Sequence, residues 1–236
     1  MHGEIMKQVV REDDKITIKK IREKTGKNKR MDWYQKKLRN ISPYFTWFFL
    51  HAGISADQVT LLSILPVIFG SFLLLFKNPL YWILGWVIMQ LYCIIDCADG
   101  EVARYKNNST KFGLVVDEFL HPVVNVIVLI FVMFGLFFMY KSFYVFIFGV
   151  SAIVFILLNR LLKLSFSFEK NSILSKHIGG GKIPLGGLIH VFLIASILDT
   201  FSYNFRLLFL ILIGIISPLV FVQNMINEYK SSLGRK

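Results

Sequence analysis

The chain has 236 residues, of which 55% are apolar and 15% aromatic, and its formal net charge is +12. This apolar fraction exceeds the roughly 45–50% of soluble domains and indicates a helical membrane protein with several spans. The positive charge does not indicate a nucleic-acid-binding protein, because it is concentrated in the first 40 residues, one loop and the tail. That distribution is typical of the cytoplasmic side of a membrane protein.

The first 54 residues are predicted to lie outside the bilayer core. Residues 1–30 are polar and lysine-rich, which predicts a basic cytoplasmic tail, and they lack the apolar stretch of a cleavable signal peptide. Residues 31–54 interleave aromatic and basic side chains, which suits the headgroup layer. We predict here an interfacial amphipathic helix on the cytoplasmic leaflet, interrupted near Pro43. A soluble amphipathic helix packed on a second domain is the alternative.

Six apolar segments follow, each near the ~20 residues that cross a bilayer. Pro66 lies within the first segment, and Ser55 or Asp57 is expected to cap its helix. The predicted spans are residues 57–76, 80–97, 112–139, 143–164, 183–199 and 205–227, in a domain that covers 55–228.

The distribution of lysine and arginine predicts the orientation of these spans. If the N-terminus is inside, all of the 27 basic residues except Lys77, Lys141 and Arg206 fall on the cytoplasmic side. The prediction is an all-α protein of the cell membrane with six transmembrane helices and both termini cytoplasmic. Residues 229–236 form a second basic cytoplasmic tail.

Acidic residues recur at helical spacing near the cytoplasmic ends of the second and third spans. Asp96 and Asp99 are three residues apart, and Asp117 and His121 are four apart, so each pair shares a helix face. Charged residues at the membrane edge are costly and are usually functional. If the two faces meet, the clustered carboxylates require cations, and oxygen ligands favour Mg²⁺ or Mn²⁺. Since Mg²⁺ commonly bridges carboxylates to phosphates, we expect a diphosphate substrate.

Small and basic residues accompany these acids. Gly100, Ala103 and Gly113 leave room for close helix packing or for a flat ligand against the backbone. Arg104 and Lys111 supply cations for phosphate groups. These five residues are therefore candidate substrate-binding residues.

The stretch follows the pattern D-x2-D-G-x2-A-R-x8-G-x3-D-x3-D, with every spacing kept from Asp96 to Asp117. It thereby resembles the CDP-alcohol phosphotransferase (CDP-alcohol phosphatidyltransferase) family, over about residues 31–228. The upstream segment ISADQVTLLS is similar to the family's entry to its first span, with Ala56-Asp57 in place of Pro-Asn. The resemblance implies an enzyme of phospholipid synthesis that moves a phospho-alcohol group from a CDP-linked donor to a hydroxyl acceptor, lipid or polar alcohol, and releases CMP.

The resemblance also implies a cofactor, an assembly state and residue roles. Two divalent ions, Mg²⁺ or Mn²⁺, would be bound by Asp96, Asp99 and Asp117 and would clamp the diphosphate for in-line attack. A homodimer in contact with membrane lipids is expected, with the active site facing the cytoplasm. The residues expected to lie against the cytidine diphosphate are Asp96, Gly100, Ala103 and Arg104.

The last motif position departs from the family, which usually has a fourth aspartate where this chain has His121. His121 could be the general base, because imidazole accepts a proton near neutral pH. It could instead orient a water or bind the second metal ion, or it could mark an inactive site in which it is a packing residue. Glu118 is a weaker candidate base, about 100° further round the helix from Asp117.

One further residue and two other functions stay open. Arg160, near the cytoplasmic end of the fourth span, either extends its charge to the interface or binds an acceptor phosphate. The alternatives to a transferase are a cation or proton transporter that uses the acid cluster, and an inactive relative that binds CDP compounds. Acids at the membrane edge, without a pair of broken helices, argue against the transporter.

Overall fold

The structure is a computed structural model that describes residues 16–25, 33–108, 111–169, 185–201 and 204–233. Throughout these residues the secondary structure is helical, without a strand, as the sequence predicted. The helices are α1 (Ile18–Thr25), α2 (Trp33–His51), α3 (Ala56–Leu62), α4 (Ile64–Leu73), α5 (Pro79–Tyr105), α6 (Lys111–Tyr140), α7 (Tyr144–Glu169), α8 (Leu185–Leu198) and α9 (Phe205–Leu233).

Five segments of the described chain are long and apolar enough to cross a membrane. They correspond to the first, second, third, fourth and sixth predicted spans. The predicted fifth span contains α8, whose 14 residues would extend only about 21 Å at the rise of an α-helix. Since that length is shorter than a bilayer core, it stays a prediction that the fifth segment crosses the membrane. The five candidate spans are Ala56–Leu73, Pro79–Tyr105, Phe119–Tyr140, Tyr144–Leu162 and Phe205–Lys230.

α2, the helix of the predicted interfacial segment, is continuous from Trp33 to His51. The predicted interruption at Pro43 was therefore wrong. Pro43 removes one backbone donor, but the residues around it are anchored: Ser42 and Thr46 both donate hydrogen bonds to the carboxylate of Glu101. α2 ends at His51, and Gly53 follows it with a φ of +72° that lets the chain reverse. Backbone bonds from residues 53 and 54 to the carbonyls of residues 50 and 49 complete a Schellman motif.

The first candidate span is divided into α3 and α4 at Ser63. The predicted cap at Ser55 is confirmed: its N–H donates to Gln58 Oε1 at 2.9 Å, and the Gln58 N–H donates to Ser55 Oγ at 3.3 Å. This is a capping box with glutamine at the third helical position. Pro66 has no N–H for the carbonyl of Leu62, which accounts for the break between the two helices.

The described residues form two compact units, of which the first contains those up to Leu62 together with Ile94–Leu114. Its core joins α1, α2 and α3 to the C-terminal part of α5. The residues that α5 contributes recur every three or four positions, so one face of this helix is apolar. Asp96 and Asp99 lie outside that apolar set. The core side chains are Ile21, Phe49, Leu50, Val59, Ile95, Ala98 and Val102.

The second unit contains Ser63–Cys93 and the described residues from Val115 onward. Neighbouring helices of this unit come into contact through their backbones at glycine positions. A Cβ atom added to Gly70 would lie 2.6 Å from the carbonyl oxygen of Gly85, and one added to Gly135 would lie 2.0 Å from that of Leu74. These glycines therefore allow packing that no larger residue would permit, as is common between membrane helices.

A buried ion pair in the second unit changes the interpretation of one basic residue. Arg206 was counted among the three positive charges on the side opposite the cytoplasm, yet its side chain is only 1% exposed. It forms an ion pair with Asp199 and lies over the ring of Trp82, 4.6 Å from the centroid. Because its charge is neutralised inside the protein, Arg206 carries little information about orientation.

Candidate functional site

The predicted site residues are distributed over three helices and both units. Those in the second unit are His121 and Asp117 on α6 and Arg160 on α7. The side chains of Asp117 and Lys111 lie outside the described residues. The members in the first unit are Asp96, Asp99, Gly100, Ala103 and Arg104 on α5, with Lys111 and Gly113 at the start of α6.

Asp99 is held by a residue that the sequence interpretation did not single out. The Asp99 side chain is 8% exposed, and the hydroxyl of Thr60 on α3 donates a hydrogen bond of 2.7 Å to Asp99 Oδ2. Asp96 is half-buried on the preceding turn of α5. The other oxygen, Asp99 Oδ1, accepts a hydrogen bond from the backbone N–H of Gly100, so both carboxylate oxygens are fixed. Thr60 is therefore placed to orient Asp99.

Glu101, inside the motif, is the second residue that was missed. It is 2% exposed, and its two carboxylate oxygens accept hydrogen bonds from Ser42 at 2.7 Å and from Thr46 at 2.6 Å. Both hydroxyls are themselves fully buried. Glu101 thus fastens α2 to the helix that carries the acids, and we call these three side chains the Glu101 clamp.

The backbone at Gly100 is covered by a flexible side chain. A Cβ atom there would lie 3.2 Å from Nη1 of Arg104, and the three nearest atoms all belong to that guanidinium group. The Arg104 side chain is otherwise exposed. α5 ends just beyond it, where Asn107 adopts a φ of +52°. The surface of α5 beside Gly100 is therefore open to a flat group, provided that the guanidinium moves or binds it.

His121 contacts a tyrosine within the second unit. The hydroxyl of Tyr92 lies 2.9 Å from His121 Nδ1, and the two rings meet edge to face with centroids 6.4 Å apart. Tyr92 is 2% exposed, whereas His121 is partly exposed. Tyr92 was not predicted, although it precedes Asp96 by four residues and so shares a face of α5 with it.

Arg160 is half-buried on α7, where the neighbouring residue forms an interhelical bond. Asn224 Nδ2 donates to Asn159 Oδ1 at 2.9 Å and so links α7 to α9. The two interpretations of Arg160, interfacial charge or phosphate ligand, both stay predictions.

The donor chemistry of the acids suits a divalent ion. Aspartate oxygens are hard ligands of the kind that Mg²⁺ and Mn²⁺ prefer. Among the side chains that the structure describes, no group of three or more histidine, cysteine, aspartate or glutamate residues lies close enough together to hold a metal ion. The third predicted ligand, Asp117, is not among those side chains.

A protein-family model described as CDP-alcohol phosphatidyltransferase matches residues 54–221. The matched range contains the whole acidic motif.

Curated relatives are similar over a shorter region. Phosphatidylinositol phosphate synthase of Streptomyces avermitilis is 30% identical over 81 residues, which cover 34% of this chain and 32% of that protein. The enzyme of the same name from Mycolicibacterium smegmatis is 34% identical over 68 residues, covering 29% and 30%. A bifunctional IPC transferase and DIPP synthase of Aquifex aeolicus is 33% identical over 85 residues, covering 36% and 18%. The matched region therefore spans about a third or less of each relative.

Among solved structures, the fold is similar to that of phosphatidylinositol phosphate synthase from Mycobacterium tuberculosis with CDP-DAG bound. The TM-score is 0.65 at 18% identity, and the match covers 79% of this chain and 92% of that one. At this level of identity the likeness shows a shared fold.

Proposed function

We propose, because this chain belongs to the CDP-alcohol phosphatidyltransferase family, that it transfers a substituted phosphate group from a CDP-linked donor to a hydroxyl acceptor and releases CMP. The observation that carries the proposal is the family match over residues 54–221, which includes every acid of the motif. The relatives named for phosphatidylinositol phosphate synthesis support a role in phospholipid synthesis. The M. tuberculosis structure with CDP-DAG supports CDP-diacylglycerol as the first donor to test.

The motif acids are the proposed metal ligands. Asp96, Asp99 and Asp117 would bind two divalent ions, Mg²⁺ or Mn²⁺, which when bound would neutralise the charge of the donor diphosphate. Thr60 supports this assignment, because its hydrogen bond fixes the carboxylate of Asp99 before any ion arrives. Gly100 and Ala103 would leave room for the cytidine end of the donor. Phosphate groups would be contacted by Arg104, Lys111 and Arg160.

The proposed reaction has one proton to move. The acceptor oxygen attacks the phosphorus that carries the donor's alcohol, the bond from that phosphorus to the CMP oxygen breaks, and CMP leaves with the electron pair. The acceptor's proton passes to His121 as general base. An imidazole suits this role because its ordinary pKa lies near neutral pH.

The proposed setting is the cell membrane, with six spans, both termini cytoplasmic and the site facing the cytoplasm. The exposed aromatic side chains of α2, Tyr44, Trp47 and Phe48, support an interfacial position for that helix. A homodimer in contact with lipids is part of the same proposal.

A CMP-release assay tests the function. The full chain, purified in detergent micelles, is incubated with Mg²⁺ or Mn²⁺ and a panel of CDP-alcohols, each with lipid and polar hydroxyl acceptors. We expect CMP release that stops on chelation, disappears in Asp96→Ala and falls about 100-fold or more in His121→Ala. Glu23→Ala, which removes an exposed acid from α1, is the matched control and should keep full activity.

Two results would contradict the proposal. If no donor yields CMP while ion flux through proteoliposomes depends on the motif acids, the protein is a transporter. If CDP compounds bind and no acceptor gives CMP, the protein is an inactive relative.

A further inference from the structure

We propose that Tyr92 is a positioning residue that selects the reactive form of His121. The inference rests on the proposed function, because it assumes that His121 receives the acceptor's proton. It concerns a residue that is absent from the acidic motif and that contacts His121 from the preceding span.

The contact between the two side chains is specific. The Tyr92 hydroxyl lies 2.9 Å from His121 Nδ1, within hydrogen-bonding distance, and Tyr92 is almost fully buried. On α6 the neighbours Leu120 and Val124 are buried as well, so the helix that carries the imidazole is anchored on both sides of it. The ring of His121 is therefore held at one of its two nitrogens.

The direction of this hydrogen bond decides whether His121 is a base. In the neutral ring one nitrogen carries the proton and the other carries the lone pair. If Nδ1–H donates to the tyrosine oxygen, the lone pair is at Nε2, which can take the acceptor's proton. If the tyrosine O–H donates to Nδ1, Nε2 carries the hydrogen and cannot act as a base. The role of His121 as general base requires the first arrangement, with Tyr92 as hydrogen-bond acceptor.

A histidine at this position needs such a partner more than an aspartate does. The two oxygens of a carboxylate are equivalent, so either can accept a proton whichever way the group is turned. An imidazole is competent only in one tautomer and one orientation, and these are set by the bond that its other nitrogen makes. The buried hydroxyl of Tyr92 at Nδ1 is the kind of partner that an imidazole base at this position requires.

The test uses Tyr92→Phe, which removes the hydroxyl and keeps the buried ring. Tyr81→Phe is the matched control, because Tyr81 lies on the same helix and is exposed. We expect kcat for CMP release to fall about tenfold in Tyr92→Phe with the KM of the donor unchanged. Tyr81→Phe should behave as the wild type.

A second readout does not depend on activity. Nitrogen-15 NMR of histidine-labelled full-length protein in micelles, with the His121 signal assigned by its loss in His121→Ala, reports which ring nitrogen carries the proton. In the wild type the neutral ring should be protonated at Nδ1, and in Tyr92→Phe it should shift toward the Nε2-protonated form.

The two readouts separate failure of the inference from failure of the proposed function. If the wild type releases CMP and Tyr92→Phe leaves both kcat and the tautomer unchanged, the positioning role is refuted. If the wild-type ring is protonated at Nε2, the inference is refuted whatever the kinetics. If the tautomer shifts as expected and no donor yields CMP, Tyr92 positions His121 and it is the transferase assignment that fails.

Discussion

The Glu101 clamp should contribute strongly to stability, and Glu101→Ala measures it. The carboxylate accepts hydrogen bonds from two buried hydroxyls, at 2.7 Å from Ser42 and 2.6 Å from Thr46. A hydrogen bond to a charged group contributes about 1.5–3 kcal/mol. Thr46 has a second acceptor in the carbonyl oxygen of Ser42 at 3.1 Å, so part of the loss is recovered. We expect the free energy of unfolding to fall by about 2–4 kcal/mol.

Thermal unfolding in detergent micelles is the assay for this loss. For a chain of this size each kcal/mol corresponds to about 2–4 °C, so Tm should fall by roughly 5–15 °C. Glu101→Gln keeps the shape and one carbonyl oxygen, and should lie between the wild type and Glu101→Ala. Glu23→Ala, an exposed glutamate in the same unit, should change Tm by less than about 2 °C. Equal shifts in Glu101→Ala and Glu23→Ala would show that the clamp contributes nothing.

The remaining predictions concern Gly100 and Thr60. Gly100→Ala should leave Tm almost unchanged, because its Cβ meets only the movable end of Arg104, but it should raise the KM of the CDP donor. Gly135→Ala is the contrasting variant: its Cβ would lie 2.0 Å from a carbonyl oxygen, so Tm should fall sharply. A large loss of Tm in Gly100→Ala would contradict this reasoning. Thr60→Val should raise the Mg²⁺ concentration for half-maximal CMP release about tenfold, because Asp99 loses its orienting hydroxyl. An unchanged Mg²⁺ requirement in a folded Thr60→Val protein would mean that Asp99 is held without it.

The sequence predicted what depends on local chemistry. The lengths of the apolar segments located the helices of the first, second, third, fourth and sixth predicted spans, because the bilayer thickness fixes how many apolar residues a crossing needs. A helix cap at Ser55 or Asp57 was predicted from the local sequence, and Ser55 provides it. The spacing of the motif from Asp96 to Asp117 was sufficient to indicate the family that the comparisons show.

Local rules failed where distant residues supply the deciding interaction. Pro43 normally interrupts a helix, yet α2 continues through it because Glu101, 59 residues from Ser42, anchors the flanking hydroxyls. Arg206 was counted as a positive charge on the side opposite the cytoplasm, although it pairs with Asp199 inside the second unit. Neither outcome could be obtained from composition or periodicity, since both depend on which side chains pack together.

For the candidate site, too, some features follow from the sequence and others only from the tertiary structure. The sequence by itself determined which acids belong to the motif, because helical spacing and residue type are properties of the chain. Only the tertiary structure decided which hydroxyls contact the motif residues: Thr60 is bonded to Asp99, 39 residues away, and Tyr92 to His121, 29 residues away. A hydroxyl has no periodic signature, since serine, threonine and tyrosine are also ordinary packing residues of membrane helices. Its role is set by the atom that lies within 3 Å of it, and only the packed helices determine that atom.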